Sequence, residues 1–170
     1  MTGEPRGERA DLLEALARHR GFLRQTVQGL SDDQARRRTT VSELCLGGII
    51  KHVAAVERRW AEFVVHGPSV LSPPSRAAFE AHQATFRMEE TDTLTALLAG
   101  YDDAARNSDR LVAELPSLDA SQPLPAAPWF EPGAEWTARR VFLHVLAETA
   151  QHAGHADVIR EALDGAKTMG

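Results

Sequence analysis

The chain has 170 residues, 43% hydrophobic and 25% charged, with a formal net charge of −5. That length suits one domain over residues 1–170, with a core large enough to fold without disulfides or a structural metal. The acidic balance argues against a nucleic-acid partner, because phosphate contacts need a basic face. The single cysteine, Cys45, excludes an intramolecular disulfide and fits a reducing cytoplasm. The N-terminus "MTGEPRGERADLLEAL" starts polar, unlike a secretory signal, and no segment offers the ~18 uninterrupted apolar residues of a membrane helix. A single cytoplasmic domain is expected.

Helical periodicity dominates, with no sustained period-2 alternation. A first helix is expected from about Glu8 to Gly29, with Leu12, Leu13, Leu16, Phe22, Leu23 and Val27 on its apolar side. "LSDDQARRRTTVSEL" reads as a linker with a short helical turn after Ser31. The second helix is expected to start at Ser42 as N-cap and to stop at His66-Gly67-Pro68. "GPSVLSPPS" reads as a loop and "RAAFEAHQATF" as a short helix. A third long helix is expected after a Thr91 or Asp92 cap, ended by Pro116. The stretch "PSLDASQPLPAAPWFEPGAE" is too proline-rich for regular structure. The last helix starts at a Thr137 cap, with Trp136 placed to staple onto Val141, and Gly165 ends it. Four long helices with two longish connections give an all-α four-helix bundle.

Bundle helices carry core residues at alternating steps of three and four. On the last helix such a seam reads Val141, Val145, Glu148, His152, His155, Ile159, with three metal-capable groups in its middle. On the second it reads Cys45, Ile49, His52, Val56, Arg59, Phe63. Burying such groups without partners costs about 1–3 kcal/mol each. Glu148 and His152, at i and i+4, share one helix face, and His52 on a facing helix supplies a third ligand for a divalent metal. Three protein ligands leave a position open for water or substrate, as catalytic sites do. The competing reading is a satisfied core, with Glu148 paired to a protonated His152 or to Arg59.

Other candidates are weaker. His144 lies off the seam and is expected to pack at the bundle edge. His19, His66 and His82 read as surface residues. Cys45, ~10 Å from His52 by helix rise, reads as buried packing. Gly47 and Gly48 read as sites of close helix approach, and "ARRR" at 35–38 as a solvated face. Trp60, Trp129 and Trp136 read first as core. There is no Gly-rich phosphate loop, nucleophile elbow or paired-cysteine zinc motif.

"LCLGGIIKHVAAVERRW" together with "WTARRVFLHVLAETAQHAGHADVIREALDG" closely resembles the DinB/YfiT-like superfamily, in its actinobacterial "mini-circle" branch. The resemblance covers most of the chain. It implies an up-down-down-up four-helix bundle, commonly a homodimer, with a divalent metal between helices. It also implies kinship with enzymes that use mycothiol, bacillithiol or glutathione, among them S-transferases and the mycothiol-dependent maleylpyruvate isomerase. Many members hold the metal with three histidines, one on the second helix and an H-x-x-x-H pair on the last. Here the first falls on His52 and the pair on Glu148 and His152, so a glutamate replaces one histidine, as in the isomerase branch.

The expectation is therefore a metal- and thiol-dependent transferase or isomerase acting on a small electrophile. His52, Glu148 and His152 would bind the metal, zinc or nickel before iron or manganese. The metal would favour the thiolate, which would attack the electrophile. His155 would be the catalytic proton carrier, or else a neighbour of the ligands or an alternative ligand, and Arg59 and Trp60 would contact cofactor or substrate. The alternatives are a metal hydrolase that activates water and a non-enzymatic metal- or ligand-binding protein.

Overall fold

Each of the four long apolar stripes becomes a helix, and the helices close on one another in a ring. In this computed structural model, residues 7–71 and 73–168 are described. The polar stretch before Gly7 lies outside them, as does Ser72 in the proline-rich loop. The helices are α1 (Glu8–Gln25), α2 (Asp32–Arg36), α3 (Leu46–His66), α4 (Arg76–Thr85), α5 (Leu94–Glu114) and α6 (Ala138–Asp164). A 3₁₀ turn, Gly67–Val70, follows α3. Helix α1 packs on α5 and α6, and α3 packs on the same two, giving the bundle of four. Among the described residues no helix is long and apolar enough to cross a membrane.

Local chemistry explains most boundaries. Ser31 caps α2 in a full capping box with Gln34, and Thr137 caps α6 by accepting the Arg140 N–H at 3.1 Å. Gly165 ends α6 in the left-handed region at φ 80°, where its N–H reaches the Glu161 carbonyl. Three starts and stops differ from expectation. Helix α1 stops at Gln25, and turns carry the chain to Gly29. Helix α3 starts after Cys45, because the Ser42 hydroxyl is used in a local turn, accepting the Leu44 N–H. Helix α5 is capped by Thr93, whereas the Asp92 carboxylate pairs with Lys51 at 2.7 Å and accepts the Glu89 N–H.

The connection after α5 is also more regular than its prolines suggest. Ser121–Pro123 (β1) and Glu135–Thr137 (β2) pair antiparallel, with Gln122 opposite Trp136. Strands of three residues are too short to leave a period-2 signature, and Pro123 sits at a strand end, where a missing N–H costs least. Trp136 packs against the cluster that contains Val141, and its ring stacks on Trp60 at 4.8 Å.

The core falls into two apolar clusters. One gathers Leu23 of α1, Val27 of the turn after it, Ile49, Ile50 and Val53 of α3, Tyr101 of α5 and Ile159 of α6. The other gathers Leu12 and Leu16, Ala61 and Val64, Leu111 and Val112, and Val141 and Val145. On every long helix the residues between these two sets include buried polar groups: Arg20, Glu57, Ser108, Thr149 and His152. A polar layer thus crosses the middle of the bundle; it includes His152, whereas His52 lies between Ile50 and Val53 of the first cluster.

Candidate metal centre

His52 and His152 are both buried, and Glu148 is half-buried. One ligand atom from each of His52, Glu148 and His152 lies within 4.8 Å of the other two. The residues do not satisfy one another as a closed polar core would. The Glu148 carboxylate is 3.8 Å from His152 Nε2, beyond hydrogen-bond length, and no ion pair joins it to Arg59 among the described residues.

Neighbours fix which nitrogens face the centre. His52 Nδ1 lies 2.8 Å from the Thr85 hydroxyl, and that hydroxyl donates its only proton to the His82 carbonyl at 2.6 Å. Thr85 must then accept, so His52 carries its proton on Nδ1 and keeps a lone pair on Nε2. On His152, Nδ1 faces Nδ1 of His155 at 3.4 Å, which leaves Nε2 toward Glu148. Burial, reinforced by the charges of His152, His82 and Arg59, pushes the His52 pKa down to about 3. Burial, with His155 and His82, pushes His152 down to about 4. Both imidazoles are therefore neutral near pH 7, the form that binds a metal. Burial raises the Glu148 carboxyl, the direction that a bound cation would reverse. Two neutral imidazoles and a carboxylate, brought together without mutual hydrogen bonds, fit a divalent cation.

Glycine brings the cover of this site into place. A Cβ on Gly48 would stand 1.9 Å from the Phe86 carbonyl oxygen, and one on Gly47 would stand 2.2 Å from Met88 Sδ. The two glycines thus admit the segment after α4, rather than another long helix, against α3. That contact lays Phe86 flat on His52, at 3.7 Å between centroids and 17° between planes.

The other named residues fall into two groups. His155 is exposed, with its Nδ1 3.4 Å from His152 Nδ1; the buried α6 seam runs through Val145, Thr149, His152, Ala156 and Ile159. Arg59 is exposed rather than on the α3 seam, and it lines a cavity with His82 and Trp129. Trp60 is half-buried, stacked on Trp136 and edge-on to His144 at 5.0 Å. His144 packs there at the bundle edge, with Nε2 3.9 Å from Glu148. Trp129 is 67% exposed and so lies outside the core.

Two features escape sequence reasoning. His82, expected at the surface, sits edge-on to His52 at 5.1 Å. Glu57, fully buried, pairs with buried Arg20, which also reaches Asp109 at 2.8 Å. The Glu57 signal was present, since Ile50, Val53, Ala54, Glu57, Ala61 and Val64 form a core-spaced stripe.

A family model described as mycothiol-S-transferase matches residues 11–165. The chain belongs to that family. The match spans all four bundle helices, including the three positions that converge between α3 and α6. No curated relative matches this member of the mycothiol-S-transferase family. Its fold is similar to the crystal structure of a conserved protein from Enterococcus faecalis, with a TM-score of 0.65 at 13% identity. The likeness covers 95% of this chain and all of that one, and at such identity it speaks to the fold alone.

Proposed function

We propose that this protein transfers the sulfur of a low-molecular-weight thiol, mycothiol by the family's description, to a small electrophile. The transfer would occur at a divalent cation held by His52, Glu148 and His152. The observation that carries the reading is the convergence of three ligand atoms that make no hydrogen bonds to one another, with His52 fixed by Thr85. When bound, the cation, zinc or nickel first, supplies positive charge that favours thiolate over thiol near pH 7.

The chain's own residues do the rest. His52 and His152 offer neutral Nε2 atoms, and Glu148 brings the balancing negative charge. Phe86, stacked on His52, excludes water from that side. Trp60 and Arg59 flank the approach and would contact the thiol cofactor or the substrate. The sulfur forms a bond to the electrophilic carbon, the leaving group departs with its electron pair, and the thiol proton goes to solvent. His155 would carry that proton, because its exposed ring meets His152 on one side and water on the other. A cytoplasmic location, where a free thiol persists, and a homodimer belong to the same proposal.

The test is consumption of 1-chloro-2,4-dinitrobenzene with mycothiol present or omitted. A rate above the thiol-only background, lost on chelation and in His152→Ala, is the expected result. Metal-dependent hydrolysis of an ester that proceeds without thiol, with no thiol-dependent rate, would replace this reading with a hydrolase.

A further inference from the structure

A cavity of about 410 Å³ opens beside the metal centre, lined by Arg59, Phe79, His82 and Trp129 together with the first turn of α4. Its volume suits a small organic molecule. His82 joins it to the centre, because its ring sits 5.1 Å from that of His52. Two observations define what it takes. Phe79 on α4 and Trp129 in the connection before β2 are 63% and 67% exposed, and both line this one cavity. Helix α4 has no buried residue, so the core does not account for its apolar face. The second observation is charge. Arg59 makes no ion pair and no hydrogen bond among the described residues, in a chain with more acidic than basic groups. Its charge acts on both His52 and His82. The N-terminal turn of α4, with Ser75 and Ala78 in the lining, adds its positive end.

We propose that this cavity is the electrophile site and that its ligand is a small carboxylic acid with a flat apolar body. The Arg59 guanidinium pairs with the carboxylate, and the body lies between Phe79 and Trp129. The far end of the molecule, beside His82, faces the metal centre. The assignment of the cavity to the electrophile rests on the transferase reading above, whereas its preference for an apolar carboxylate rests on the lining alone.

The test is titration of the purified protein, with and without bound metal, with 1-naphthoate and with neutral 1-naphthalenemethanol, by tryptophan fluorescence and calorimetry. 1-Naphthoate is expected to bind equally to both forms of the protein. Arg59→Gln is expected to weaken it about tenfold, the order of one charge-assisted hydrogen bond, and Arg59→Lys to restore part of the loss. Binding of the neutral analogue stays unchanged in Arg59→Gln, and Phe79→Ala weakens both probes. In turnover assays 1-naphthoate competes with the electrophile and not with the thiol. Absence of binding, binding indifferent to Arg59, or dependence on the metal would overturn the ligand class. Competition with the thiol would overturn the assignment to the electrophile. Loss of turnover with every thiol, with naphthoate binding intact, would count against the transferase reading and leave the ligand class upheld.

Discussion

His52 gives its Nδ1 proton to Thr85 at 2.8 Å, and Thr85 can accept it because its own proton is committed to the His82 carbonyl. A threonine on the short helix α4 thereby selects the tautomer of a histidine on α3. Hydrogen-bond partners of this kind orient metal ligands and raise their basicity. Thr85→Val keeps the shape and removes the acceptor. It is expected to weaken metal binding roughly 10–100-fold with the fold retained, measured by competition with a chromophoric chelator. Unchanged affinity would mean that Thr85 does not set the tautomer.

Helix α3 also carries Glu57, whose pair with Arg20 of α1 lies in the polar layer and is almost wholly buried. Glu57→Leu leaves the Arg20 charge with only the half-exposed Asp109 and is expected to cost about 3–5 kcal/mol in urea unfolding. Replacing Arg20 and Glu57 together by leucine removes both charges and is expected to recover most of that loss. A double variant no more stable than Glu57→Leu would contradict the pairing.

Two helical glycines make a paired prediction. Gly154 on α6 has open space where a Cβ would go, so Gly154→Ala is expected to stabilise by about 0.5–1 kcal/mol through helix propensity. Gly48→Ala gains the same propensity, but its Cβ meets backbone at 1.9 Å, and overpacking costs about 1–3 kcal/mol, so the net effect is a loss. Because the displaced segment carries Phe86 off His52, metal affinity should fall as well. Thermal unfolding and metal titration of both variants check this.

How much of this was legible in the sequence depends on range. Glu148 and His152 are one turn apart on one helix, and His52 breaks an apolar run on another, so the three candidate ligands are legible locally. His155 was not placed correctly because a seam traced 148, 152, 155 drifts outward, whereas the helix buries 149, 152 and 156. Glu57 stands in "VERRW", where the following arginines, both exposed, suggest a solvated face; its partner Arg20 is remote in sequence. His82 was hidden for a different reason. Helix α4 has no core stripe to read, and its place depends on the contact of the following segment with Gly47 and Gly48. The strands β1 and β2 are too short for any periodic signal.

Acid should destabilise the metal-free protein in a defined window. The His52 and His152 pKa values are lowered in the fold, to about 3 and about 4, against an ordinary 6.5. The unfolded chain therefore binds more protons below 6.5, and the stability present above that pH is lost as pH falls toward 4. Glu148, whose pKa is raised, contributes in the opposite sense at the acid end, but burial lowers His82 and His144 as well, so it is one group against four. The melting temperature of chelator-treated protein is expected to change little above about pH 7 and to fall from about pH 6.5 to 5. His52→Gln should flatten the dependence, and an unchanged slope would contradict the buried neutral imidazoles.

The most direct test of the whole account is elemental analysis of tag-free protein purified without added metal, beside His52→Ala, Glu148→Ala and His152→Ala. The account predicts close to one divalent ion per chain in the parent, taken up on reconstitution if absent, and little in any variant. A parent that stays metal-free after reconstitution, or variants that retain the ion, would contradict the site between α3 and α6 and the transfer chemistry built on it.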